Sequence, residues 1–260
     1  MQLIVVKTGG NIIDNPGKLS EFLQLFAGTP GHKILVHGGG KVATDIGHQL
    51  NIVANYADGR RITDEPTLKL VTMVYGGLIN KNITAQLQQL GCNAIGLTGA
   101  DGAILPANKR PISTIDYGYV GDVKSADINS GMVLQLLQAG LTPVMAPLTY
   151  DGNGGLLNTN ADTIAQELAK AMAAHGDVKL IYCFEKNGVL ANADDDDSVI
   201  PRITAQDFAS LKEDGTISGG MIPKLENALE AVSRGVQQVI IGPGEQLPQL
   251  LQGMAGTRIE

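Results

Sequence analysis

Ile34-Leu35-Val36-His37-Gly38-Gly39-Gly40-Lys41 decides the fold. Three apolar residues suited to a buried strand run into a glycine turn, and a helical period begins near Lys41. The same grammar recurs on both sides. Apolar runs at 3–6, 33–36, 94–97, 142–146, 178–183 and 236–241 are mostly separated by stretches of helical period, such as 19–26, 65–90, 128–139, 160–174 and 224–233. Strands divided by helices pair through crossovers, so the pattern predicts an α/β fold, a three-layer αβα sandwich with a mainly parallel central sheet. Residues 51–63 and 104–123 break the alternation and read as hairpin excursions from the sheet rim, where lids and substrate walls are commonly built.

In such sheets ligands gather beyond the carboxyl ends of the strands, and the glycine turns lie there. Lys7 precedes Thr8-Gly9-Gly10 at the end of the first apolar run, and Lys224 closes Ile217-Ser-Gly-Gly-Met-Ile-Pro-Lys224. Each places an amine beside glycines whose bare N–H groups can face an anion, which suggests phosphoryl transfer. Lys224 falls in the first turn of a helix, where a cation opposes the dipole unless an anion sits on it. The Gly38-Gly39-Gly40 triplet fits either a phosphate or substrate approach or tight strand-to-helix packing. It has neither the spacing of a Walker loop nor that of a dinucleotide-binding loop.

Gly59-Arg60-Arg61 offers guanidinium forks that match a carboxylate, or else a solvated surface pair. In Asn158-Thr159-Asn160-Ala161-Asp162 an Asn suits the N-cap and the acid the first turn of a helix, or the acid can hold two phosphate-binding lysines apart and aim them. No obvious catalytic base is present. A hydroxyl acceptor needs one, whereas a carboxylate of pKa near ~4.3 is already ionised at neutral pH, so the pattern fits a carboxylate acceptor.

The 260 residues carry 19 Lys and Arg against 26 Asp and Glu, a formal charge of -7. General nucleic-acid binding is therefore excluded, and local cations and glycine nests must hold any phosphate. Cys92 and Cys183 are isolated and read as reduced core thiols, while His32, His48 and His175 have no partner spacing, so no metal site is expected. The acids at 194–197 lack the spacing of a calcium loop and read as a solvated hairpin tip. No apolar run reaches the ~18 residues of a membrane span and no signal segment opens the chain, so a cytoplasmic protein without a membrane partner is expected.

Lys7-Thr-Gly-Gly10, His37-Gly-Gly-Gly40, Gly59-Arg-Arg-Ile-Thr63, Tyr119-Val-Gly-Asp122, Asn158-Thr-Asn-Ala-Asp162, Gly219-Gly-Met-Ile-Pro-Lys224 and Gly256-Thr-Arg-Ile259, in this order and spacing, resemble the N-acetylglutamate kinases of the amino acid kinase superfamily. The resemblance spans the chain. It implies ATP-dependent phosphorylation of the side-chain carboxylate of N-acetyl-L-glutamate in arginine biosynthesis, with Mg2+ accompanying ATP. It implies that Lys7 and Lys224 stabilise the transferring phosphoryl group, that Asp162 orients both lysines, and that Gly39, Gly40, Arg61 and Asn158 meet the acylglutamate. Gly9, Gly10, Glu185, Gly188, Gly219, Gly220 and Met221 would border the nucleotide. Residues 1–157 would bind acylglutamate and form a homodimer, and 158–260 would bind ATP.

Three departures qualify the resemblance. Phe184-Glu185-Lys186-Asn187-Gly188 replaces the usual Thr- or Ser-Asp-Val before the glycine of the nucleotide loop, which leaves a catalytically silent nucleotide or acylglutamate sensor as an alternative. Arg60 stands where the family has an apolar residue, and an added cation there, or at Lys109 or Arg110, would suit the extra carboxylate of N-succinyl-L-glutamate. The N-terminal helix that joins dimers of arginine-inhibited relatives is missing, so a homodimer without that feedback is expected.

Overall fold

The computed structural model describes residues 1–57 and 59–260. Eight strands, β1 (Gln2–Thr8), β2 (His32–His37), β3 (Ala94–Leu97), β4 (Thr142–Met145), β5 (Asp177–Phe184), β6 (Arg202–Ile203), β7 (Gln238–Pro243) and β8 (Thr257–Ile259), form one sheet in the order β6-β8-β7-β5-β1-β2-β4-β3. All neighbours are parallel except β7 and β8. Parallel strands covered on both faces read as unbroken apolar runs. Ile34, Leu35 and Val36 of β2 are all fully buried for this reason.

A single α-helical turn, Gly10–Ile13, follows β1, and the α-helices of six residues or more are α1 (Pro16–Gly28), α2 (Gly40–Gln49), α3 (Glu65–Val71), α4 (Asn80–Gln89), α5 (Ser130–Gln138), α6 (Ala161–Met172), α7 (Ala205–Glu213), α8 (Met221–Ser233) and α9 (Leu247–Gln252). Val133 of α5, Ile164, Leu168 and Met172 of α6, and Leu225 of α8 pack with Val5 and Val36 on one face of the sheet. Phe22 and Phe26 of α1, Leu70 of α3, Ile83 and Leu87 of α4, and Leu250 of α9 pack with Val6 and Leu35 on the other. This is the expected αβα sandwich. Leu168 lies at the middle of the buried i, i+4, i+8 row of α6, and its burial contributes roughly 1.5–3 kcal/mol.

The stretch 65–90, expected as one helix, is interrupted. Thr72–Ile79, which contains Gly76 and Gly77, winds as a π-helix between α3 and α4. The wider turn brings Tyr75 and Ile79 against Gly39, where the glycine triplet leaves β2.

Both excursions form hairpins, Tyr56–Ala57 with Arg60–Arg61 and Ala107–Lys109 with Gly121–Val123. A third hairpin, Leu148–Tyr150 with Leu156–Asn158, was not indicated by the sequence and delivers Asn158 to the rim. Cys92 and Cys183 are buried free thiols, and residues 194–197 form an exposed loop.

Candidate active site

Lys7 is the penultimate residue of β1, and Asp162 lies in the first turn of α6. Their charged groups meet with Lys7 Nζ 2.8 Å from Asp162 Oδ1. Asn160, rather than Asp162, caps the helix, since its side chain accepts from the N–H groups of Asp162 at 2.8 Å and Thr163 at 3.2 Å. The acid is thereby free to serve the lysine. Burial raises the Asp162 carboxyl, but the charge and hydrogen bond of Lys7 and the charge of Lys224 outweigh it, and the net shift is downward.

Lys224, in the first turn of α8, has its Nζ 4.3 Å from the centre of the Phe184 ring at the end of β5. Among the described residues no carboxylate lies within ion-pair distance of it. Burial pushes its ammonium down, Asp162 partly offsets this, and Lys7 adds to it. Two cations facing one carboxylate leave an excess positive charge that an arriving phosphate would balance.

The turn after β1 is tied to the turn after β2, because the Gly38 N–H donates to the Thr8 carbonyl at 2.9 Å. A Cβ on Gly9 would lie 2.8 Å from Lys7 Nζ, so a side chain there would displace the ammonium. Gly39 has φ +145°, and its Cβ would fall 2.3 Å from Ile79 Cδ1. Glycine is required there by backbone and by space.

A cavity of about 200 Å³ opens beside the triplet, lined in part by Gly39, Gly40, Arg60, Arg61, Tyr75 and Asn158. Arg61 is 7% exposed. Its Nη2 donates to the Gly40 carbonyl at 2.8 Å, Thr44 Oγ1 at 2.8 Å and Tyr56 Oη at 2.6 Å, and its guanidinium lies 4.9 Å from the Tyr56 ring centre. Nη1 is buried without a hydrogen-bond partner. The guanidinium borders the cavity through Arg61 as a lining residue, and its planar fork matches a carboxylate. Asn158 Nδ2 donates to Thr63 Oγ1 at 2.9 Å.

Arg60 is exposed and lines both this cavity and a neighbouring one of about 180 Å³ that contains Asp162, Gly220 and Lys224. Arg110, by contrast, is engaged by Asp122 and lies 5.2 Å from the Tyr117 ring centre, and Lys109 Nζ is 4.7 Å from that of Tyr119. Of the three cations considered for a second carboxylate, Arg60 alone borders these cavities.

A further cavity of about 340 Å³ is lined by Lys7, Gly9, Gly10, Glu185 and Lys224 among others. Gly188 faces none of the three cavities, since its Cβ would meet Thr257 Oγ1 at 2.7 Å and Val199 Cγ1 at 2.8 Å, which gives it a packing role. Gly219, with φ +56°, and Met221 also line none of them, while Gly220 caps α8 beside Lys224. An Asn cap with Asp162 in the first turn was legible in the segment, and Asn160 fills that role; the sequence reading missed Phe184 as the support of Lys224 and Tyr56 as a partner of Arg61. Tyr56 had no signal, because nothing local to an aromatic residue five positions away announces a guanidinium contact.

The model of the Amino acid kinase family matches residues 2–243. The chain belongs to the amino acid kinase family. Within it, the chain is 54% identical over 259 residues to the acetylglutamate kinase of Bacteroides thetaiotaomicron, covering 100% of this chain and 98% of that one. It is 56% identical over 251 residues to the acetylglutamate kinase of Cytophaga hutchinsonii, covering 96% and 94%. Its fold is shared with the carbamate kinase of Giardia lamblia solved with AMP-PNP, at a TM-score of 0.70 and 16% identity over 99% of this amino acid kinase and 97% of that chain.

Proposed function

We infer that the chain is an acetylglutamate kinase, transferring the γ-phosphoryl group of ATP to the side-chain carboxylate of N-acetyl-L-glutamate in arginine biosynthesis. The observation that carries this reading is the convergence of Lys7 and Lys224 on Asp162 beside a cavity lined by Gly39, Gly40, Arg61 and Asn158. Arg61 and Asn158 hold the α-carboxylate side of the substrate, and Gly39 and Gly40 meet the reacting end. The side-chain carboxylate oxygen attacks the γ-phosphorus, the bond from that phosphorus to the bridging oxygen of ADP breaks, and Lys7 and Lys224 balance the charge that develops. Asp162 fixes Lys7 directly and acts on Lys224 through its field.

Among the described residues no group of three metal-ligating side chains exists. Mg2+ is proposed to arrive on the phosphates of ATP. The nucleotide is assigned to residues 158–260, against Glu185, Gly219, Gly220 and Met221 with Gly9 and Gly10 at its phosphate end, and acylglutamate to residues 1–157. A homodimer is proposed through the N-terminal lobe, where Met73, Leu78 and Leu90 are exposed apolar side chains. No helix among the described residues is long and apolar enough to cross a membrane, and a cytoplasmic location is proposed.

Arg60 favours one second reading. Its position on both cavities suits an acyl group that ends in a carboxylate, which makes N-succinyl-L-glutamate the competing substrate. Acyl-phosphate formation, trapped as hydroxamate with MgATP and either acylglutamate, tests both readings. Preference for acetyl supports the first and preference for succinyl the second. Binding of ATP without turnover of either would make the chain a sensor.

A further inference from the structure

His37 is fully buried at the end of β2 and pairs in register with Thr8 of β1, beneath the two glycine turns. Its Nδ1 lies 2.8 Å from the Gly38 carbonyl oxygen and its Nε2 lies 3.1 Å from Asn80 Nδ2. A carbonyl can only accept, so Nδ1 carries the proton, and Nε2 accepts from the Asn80 amide. The second hydrogen of that amide is also committed, because Nδ2 donates to the Val144 carbonyl at 2.9 Å. The chain from the β4 carbonyl through Asn80 to His37 therefore admits one tautomer and one amide orientation. A second proton on the ring would set donor against donor at Asn80, and burial holds the imidazole down to a pKa of about 4.

The consequence falls on the next peptide. In a trans peptide the C=O and N–H point in opposite directions, and no peptide bond among the described residues is cis. His37 draws the Gly38 carbonyl inward, which turns the Gly39 N–H of the same peptide away from the buried ring. The Gly38 N–H is already spent on Thr8, and Gly39 is backed by Ile79 and Tyr75 of the π-helical segment that leads into Asn80.

We propose that His37 and Asn80 are a positioning pair for phosphoryl transfer, which pins the Gly38–Gly39 peptide so that the Gly39 N–H is presented to the reacting oxygens. This rests on the kinase reading above and adds residues that touch neither substrate nor nucleotide. The π-helical interruption gains a role from it, because it supplies both the backstop of Gly39 and the residue that fixes the His37 tautomer.

The test compares His37→Asn, which keeps an amide donor where the imidazole has Nδ1, with His37→Gln, which places its amide at the Nε2 position and loses that donor. With N-acetyl-L-glutamate and MgATP, His37→Gln is expected to lower kcat about 100-fold with both KM values little changed, as for a misaimed transition-state donor. His37→Asn is expected to stay within about fivefold of the wild type although both variants lose comparable stability to urea. Long-range 1H–15N spectra of the wild type, which require neither turnover nor a variant that folds, should show a neutral ring protonated at Nδ1. Equal kcat losses in the two variants that track their stability, or a wild-type ring protonated at Nε2, would overturn the proposal. Absence of turnover with a Nδ1–H ring would instead count against the kinase reading alone.

Discussion

On the side proposed for acylglutamate, Arg61 is buried, one of its nitrogens has three acceptors within 2.8 Å, and the adjoining glycine turn is pinned by His37 from below. On the side proposed for the nucleotide, Glu185, Gly219 and Gly220 are exposed, and Lys186 makes a surface pair with Asp196. A small acid offers few atoms, so its recognition depends on donors fixed in advance, whose ordering cost falls on folding rather than binding. ATP brings its own charge and a large surface, and can complete a site whose cations are only partly balanced. Lys7 and Lys224 stand where the two constructions meet.

The largest effect is expected at that junction. Lys7→Ala should lower kcat by about 10³-fold, the scale on which a transition-state donor acts. It also leaves Asp162 without the neighbour that most lowers its carboxyl, so the Asp162 pKa should rise. Steady-state rates and carboxyl NMR titration check both statements. A variant with unchanged kcat would place the chemistry elsewhere in the cleft.

His37 separates the two sides through pH. Its imidazole titrates near 6.5 when unfolded and at about 4 in the native protein. Above pH 6.5 both states are neutral and the residue has no effect on the pH dependence. As pH falls from 6.5 towards 4 the unfolded chain takes a proton that the native chain refuses, and stability is lost at up to ~1.4 kcal/mol per unit, about 3 kcal/mol in all. The stability advantage of wild type over His37→Asn in urea unfolding should therefore shrink as pH falls from 7 to 4. A difference that stays constant over that range would mean that the ring is not held neutral.

Arg61→Lys keeps the charge and loses the fork. The substituted ammonium cannot reproduce the planar fork that reaches Gly40, Thr44 and Tyr56 while lining the cavity. The KM for N-acetyl-L-glutamate should rise about 30-fold to 100-fold, and that for ATP should change less than threefold. A matched rise in both would dissolve the distinction between the two sides.

How much of this was legible in the sequence depended on the range of the interactions. Strand runs and glycine turns are local, and the sheet, its mainly parallel pairing and the rim position of the motifs followed from them. Lys7 and Asp162 could be named because motif order brought them together, yet that Asn160 does the capping needed the geometry of the helix start. The link between His37 and Asn80 spans 43 positions and appears in no period. The π-helix within 65–90 was hidden because its apolar residues suit an α-helix equally well, and the Gly76-Gly77 pair alone did not say how the turn would widen. Gly188 failed in the opposite sense, since a glycine in a nucleotide-like segment proved to be needed for packing on Thr257 and Val199.

Phe184 gives the smallest expected effect and the finest test of the comparison. It stands in the segment that departs from the family pattern, and its ring supports the Lys224 ammonium at 4.3 Å. A lysine over an aromatic face gains roughly 0.5–2 kcal/mol, depending on its desolvation. Burial already pushes Lys224 down, so the ring helps to keep its proton in place. Phe184→Leu preserves apolar bulk and removes the quadrupole, and should lower kcat about fivefold with the KM for N-acetyl-L-glutamate unchanged. Because the loss comes from a less protonated or less well aimed Lys224, it should grow as pH rises. A loss independent of pH, or one confined to the KM for ATP, would make the aromatic a wall of the nucleotide site instead of a support for the lysine.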